Sequence, residues 1–124
     1  MTRPLKFRAF NGAGMIYNNT DFKFYVRDGY AWYHNQDEEV MEVKDWPVMQ
    51  FTGLTDKNGK EIYDADLIRH NGGMISIVEW DETNAAFVAV DATDQERQML
   101  LAELIEKTKV EVIGNIHSNP ELLK

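Results

Sequence analysis

The side chains able to do chemistry are concentrated in "VMQFTGLTDKNGKEIYDADLIRH", Val48 to His70. Asp64 and Asp66, with Glu61, Glu79 and Asp81 close by in sequence, could supply a carboxylate pair for acid–base catalysis or for magnesium. Acidic residues alternating with apolar ones are equally the solvent face of a strand, and catalysis requires convergence in space rather than proximity along the chain. The strand reading is preferred, with Asp64 and Asp66 at an edge. Asp56-x-Asn58-Gly59 resembles the start of a calcium loop, but the next alternate position is Lys60 and the position of the closing glutamate is Leu67. Asn-Gly is instead a strong hairpin signal.

His34, His70 and His117 form neither an HxxxH nor an HExxH spacing, there is no cysteine, and no GxGxxG or GxxxxGK[ST] is present. The residues therefore predict no catalytic site, no metal site and no cofactor. One cluster points to binding. The aromatics Tyr25, Tyr30, Trp32 and Tyr33, interleaved with Lys23 and Arg27, could present rings and cations to a partner protein or stack on single-stranded nucleic acid. Packing explains the same cluster: Phe22, Phe24 and Val26 would line one face of a strand, and Tyr30 and Trp32 the same face of its neighbour.

The bulk numbers set limits on these readings. A chain of 124 residues predicts one domain built on one core, and 44% hydrophobic residues with 27% charged describe a chain that folds. The net charge of −8 disfavours generic nucleic-acid binding, which comes largely from neutralising phosphates. Residues 1–36 carry five basic residues against two acidic, a local +3 that leaves −11 for the remainder. A modest basic face on the N-terminal part follows. No apolar run reaches the roughly 18 residues of a membrane span, and the start lacks a signal peptide's apolar stretch, so a cytoplasmic protein is expected.

The elements that must position these residues are mostly short strands. Asn11-Gly12-Ala13-Gly14 separates Lys6–Phe10 from Met15–Tyr17, and Asp28-Gly29 separates Phe22–Val26 from Tyr30–Tyr33, each a hairpin signal. A short strand is expected at Val40–Val43, followed by turns at Asn58-Gly59 and Asn71-Gly72-Gly73 with extended segments at Ile62–Tyr63, Leu67–His70, Met74–Trp80, Ala85–Val90 and Val110–Ile113. Thr93 with Glu96 forms a capping box, and Leu100, Leu101, Leu104 and Ile105 follow helical spacing, which predicts a helix near 94–109. Pro120 opens a final short helical turn. The fold class is mainly β with one helix: an N-terminal β-hairpin element over 1–45 and a small antiparallel barrel or sandwich over 46–124.

Taken in order, "KFRAFN…GMIY", the Val48–His70 stretch, "VEWDE…FVAV", the helix and "VEVIGNIHSNPELL" resemble the YopX-like proteins of bacterial phages and prophages over nearly the whole chain. The resemblance implies an SH3-type barrel with additional N-terminal strands, and it carries no catalytic residues over. Ala65 departs from the glycine of relatives with "IYEGDI", which puts a positive-φ turn there in doubt, and His117 replaces a usual tyrosine. The expected role is that of a non-enzymatic accessory protein in the host cytoplasm. It would self-associate and bind a phage or host protein, the alternative being a nucleic-acid-binding regulator using the basic aromatic hairpins. Tyr63 and Trp80 are expected to pack within or against the barrel.

Overall fold

The computed structural model describes residues 5–17, 24–27, 30–34, 40–43 and 46–123, with the backbone alone between 24 and 43. The architecture is mainly β, consistent with a small β-barrel, and it carries one α-helix among the described residues. The chain divides into two compact units, Met1–Gln50 and Phe51–Lys124.

In the first unit, β1 (Phe7–Phe10) pairs antiparallel with β2 (Met15–Tyr17). The Asn11 side-chain oxygen accepts the N–H groups of Ala13 and Gly14, both at 2.8 Å, and so fixes the turn the sequence marks. The other edge of β1 pairs with the opening residues of β6 (Val48–Thr55), Ala9 opposite Val48 and Phe7 opposite Gln50. A separate meander joins β3 (Phe24–Arg27), β4 (Tyr30–His34) and β5 (Val40–Val43).

The second unit begins where the remainder of β6 meets β7 (Glu61–Tyr63) across a register shift between Phe51 and Thr55. Between them, Gly59 takes φ +82°, the left-handed conformation that only glycine adopts without a Cβ penalty. A five-stranded sheet follows in the order β11-β10-β9-β8-β12: β8 (Asp66–His70), β9 (Met74–Asp81), β10 (Ala86–Asp91), β11 (Asp94–Leu100) and β12 (Glu111–Asn115). Helix α1 (Leu101–Lys107) connects β11 to β12 and buries Leu101 and Leu104 against Ile62, Ile68, Val78, Ala89 and Val110. Each leucine withdrawn from water contributes about 2 kcal/mol.

The helix expected near 94–109 is thus confined to its second half. Residues 94–100 lie in a strand because Val88, Ala89 and Val90 offer a ladder to Leu100, Met99 and Gln98. Tertiary pairing here overrides the local helical pattern. The capping box does not form. Thr93 donates both its N–H and its hydroxyl to Asp91, at 2.8 and 2.7 Å, and the helix starts at Leu101 with Leu100 at the N-cap position and no side-chain cap.

The closing segment is tied by two amides. The Asn115 side-chain oxygen accepts the N–H groups of His117 and Ser118, while Asn119 donates its N–H to the Asn115 carbonyl and accepts the Asn115 N–H. Asn119 lies over Gly114 so closely that a Cβ there would stand 2.5 Å from its Oδ1. Pro120–Leu123 then forms the single 3-10 turn that the proline predicts.

Candidate functional site

The acidic stretch resolves into supports for the fold. Asp56 is buried, its Oδ1 accepting the N–H groups of Asn58 and Lys60 at 2.8 and 2.9 Å, its Oδ2 that of Val112 at 3.0 Å. Burial alone would raise its carboxyl, but those backbone donors, with the Lys60 ammonium, outweigh it and hold it below the usual value. Both oxygens are committed to N–H donors, a use opposite to calcium ligation. Asp66 departs from the solvent-edge expectation, being only 1% exposed, because its Oδ2 turns inward to accept the Tyr63 N–H at 2.7 Å. Between these two, Ala65 has φ +74°. The positive-φ turn therefore exists without glycine: the Ala65 N–H donates to the Val78 carbonyl and its own carbonyl accepts from Ile116, so the surrounding strands dictate the conformation.

Asp81 accepts the Thr83 N–H and an Asn84 amide proton, a surface turn. Among the described residues no three His, Cys, Asp or Glu side chains converge as a metal site. Tyr63 is buried, 5.5 Å ring to ring from Phe51, whereas Trp80 is 45% exposed and covers Phe87 edge-on at 5.0 Å.

The interaction cluster can be placed only in part. Lys23, like Phe22, lies outside the described residues. The expected Asp28-Gly29 turn also lies outside the described residues; β3 and β4 pair with Tyr25 opposite Trp32, Arg27 opposite Tyr30, and Tyr33 opposite Phe24. This corrects the expected packing: positions 30 and 32 pair with 27 and 25, not with 24 and 26, since a one-residue change of register exchanges the two faces of a strand. The proposed basic face also loses a member, because Arg8 is buried and directs Nη1 to the Tyr17 hydroxyl at 3.4 Å.

A different surface emerges on the second unit, and sequence reasoning missed it. Met74, Met99, Leu100 and Leu123 are exposed. Met74 and Met99 share one cavity, Met74 adjoins Leu122 and Leu123 in the next hollow, and Met99 adjoins Leu100 in a third. The available signal was the pair Met99-Leu100, which a helical period assigns to a core face. Beside them, β11 forms one end of the sheet, and its register shift and charged Glu96 and Arg97 blunt that edge against further strand pairing. At the opposite end, the Asp56 carboxylate covers the Val112 N–H of β12.

His70 and Ser76 form a buried pair with Nε2 and Oγ 2.9 Å apart. Burial lowers the His70 pKa, partly offset by the Asp91 charge, which favours the neutral ring. Its Nδ1 makes no hydrogen bond, so the pair lacks the carboxylate that orients histidine in a catalytic triad. Asp91 instead accepts from Thr93 and pairs with Arg97 at 3.7 Å.

Comparison with known proteins matches residues 6–124 to the family model described as YopX protein. None of the curated proteins compared with the chain matches it. Among solved structures, protein EF1440 from Enterococcus faecalis is similar with a TM-score of 0.65 and 23% identity, over 99% of this chain and 100% of that one. At that identity the likeness is one of fold. Among the described residues no helix is long and apolar enough to cross a membrane.

Proposed function

We propose that this chain, which belongs to the YopX protein family, is a non-enzymatic binding and assembly module that acts on a phage or host protein in the bacterial cytoplasm and self-associates. The observation that carries this reading is the run of exposed apolar side chains Met74, Met99, Leu100 and Leu123, joined through neighbouring hollows on the second unit. Scattered exposed apolar residues are ordinary on a surface, but a connected group of methionines and leucines suits protein contact, methionine being adaptable to varied partners. Of the carboxylates that could have supported catalysis, Asp66 accepts the Tyr63 N–H and Asp81 holds a surface turn.

Affinity capture of the tagged protein from its host, with and without nuclease, tests the proposal, using Met99→Glu with Leu123→Asp as the comparison. A protein partner that survives nuclease and is lost in the double variant is the expected result. Loss of a genuine reaction on substituting Asp64, with folding intact, would overturn it.

A second reading is favoured by the β3–β4 register, which sets Arg27 opposite Tyr30 and Tyr25 opposite Trp32. Basic and aromatic residues at facing register positions are the residue types that bind single-stranded nucleic acid. Recovery of DNA or RNA that disappears with nuclease, and binding that weakens with salt and on neutralising Lys23 and Arg27, would promote it over the first.

A further inference from the structure

An open hollow of about 560 Å³ on the second unit gathers Lys57, Arg69 and Lys109 around Glu111, with Asn71 and Thr108 adding an amide and a hydroxyl to its wall. The fold explains why residues so far apart in sequence meet. Arg69 and Glu111 are register partners on β8 and β12, and the Lys57 N–H donates to the Val110 carbonyl at 2.9 Å, which holds the turn before β7 against the start of β12. Val110 is buried, and its neighbours Lys109 and Glu111 both line the hollow. His70 and Asn71 line this hollow and also the cavity that Met74 and Met99 share.

The charge gathered here runs against that of its surroundings. Residues 51–124 carry seven basic side chains against fourteen acidic ones, yet three of the seven and only one of the fourteen line the hollow. The excess is two positive charges. One carboxylate serves two cations: Glu111 Oε1 accepts from Arg69 Nη2 at 2.8 Å, while Lys57 Nζ stands 4.0 Å from Oε2, beyond hydrogen-bond reach. Lys109 has no ion-pair partner among the described residues. Such a surplus among N–H and O–H donors suits a compact dianion. A phosphate monoester carries close to two negative charges near neutral pH and three strong acceptor oxygens, more of both than a carboxylate, and the planar fork of arginine matches it. Nucleic acid fits less well, because a polyanion reaching beyond the hollow meets the acid-rich remainder of the unit. We propose that this hollow binds a single phosphate monoester, with Lys57, Arg69 and Lys109 as its cations. The monoester belongs to a small molecule or to a phosphorylated side chain of a partner. The site is argued from charge and not from the exposed apolar run, so it stands or falls apart from the proposed function.

Nuclear magnetic resonance titration of the full chain at constant ionic strength tests this, with inorganic phosphate, acetate, glycerol phosphate, N-acetylphosphoserinamide and a single-stranded oligonucleotide as probes. Saturable shifts are expected at Arg69, Asn71, Thr108 and Lys109, with phosphate bound about threefold more tightly than acetate, the ratio one exposed ion pair supplies. Lys109→Gln removes a cation without breaking an ion pair, and should weaken phosphate by about threefold while leaving the thermal midpoint unchanged. Lys57→Gln is the second variant, with the same loss of affinity expected. Tighter binding of N-acetylphosphoserinamide than of glycerol phosphate assigns the group to a protein partner, and the reverse to a small molecule. Equal affinities for phosphate and acetate, shifts confined to residues 1–50, phosphate affinity unchanged in both variants, or tighter binding of the oligonucleotide at the hollow than of either monoester would overturn the proposal.

Discussion

A single side chain, Asp56, holds three segments of the backbone together. It satisfies two N–H groups of its own turn and one on a strand 56 residues away. Asp56→Ala would leave those donors without partners, and equilibrium denaturation should register a loss of about 3 kcal/mol. Calcium should leave stability unchanged in the unsubstituted protein. Ala65 makes a separate point. At φ +74° and buried, it tolerates a methyl but not a branched side chain, so Ala65→Val should lower stability by about 2 kcal/mol or more. An extended conformation at this position would instead accept valine readily, and the denaturation midpoint separates the two. Asp56 was recognisable as a turn residue from its neighbours Asn58 and Gly59, but its bond to Val112 was not, because nothing local marks a contact that closes only when the sheet forms.

At the scale of elements, the instructive segment runs from Thr93 to Lys107. Its leucines carry a helical period and its N-terminal residues a capping box, yet residues 94–100 extend beside β10 and only Leu101–Lys107 coils. Glu96 is exposed in that strand, so Glu96→Ala should change the thermal midpoint by no more than about 0.5 kcal/mol equivalent, whereas a working capping box would cost about 1 kcal/mol. Elsewhere the local signals agree with the outcome: Asn11 to Gly14, Asn58-Gly59 and Asn71 to Gly73 all separate strands as expected. Turn chemistry is decided within a few residues, so these elements were legible. Strand against helix in an amphipathic stretch is decided by what lies alongside.

For the molecule as a whole, acid should act in two stages. Burial lowers the pKa of His70 below its ordinary 6.5, so the unfolded chain binds a proton more readily than the folded one. The stability this contributes is complete above about 6.5 and falls as the pH drops from there through the lowered value. Asp56, Asp91 and Glu111 are also lowered: Asp56 by backbone donors that outweigh its burial, Asp91 chiefly by Thr93, and Glu111 chiefly by the Arg69 side chain. Their contributions are present above the ordinary values of 3.8 and 4.5 and disappear below them. Thermal midpoints measured against pH should therefore begin to decline near neutrality and decline again below pH 4.5. His70→Gln should abolish the upper stage alone, and its persistence in that variant would assign it to another group.

By itself the sequence determined the mainly β class, the hairpin turns, most strand positions, the final turn at Pro120 and the YopX resemblance, because each depends on nearby residues or on the order of motifs along the chain. Only the tertiary structure decided that β11 is a strand, that Arg8, Asp56 and Asp66 are buried, and that Ala65 takes a left-handed turn. The same holds for the cavity, where residues from 70 to 104 meet across four strands and a helix. Burial and register arise from pairings between distant segments, and the free energy that selects them exceeds the few tenths of a kcal/mol by which local preference distinguishes most residues.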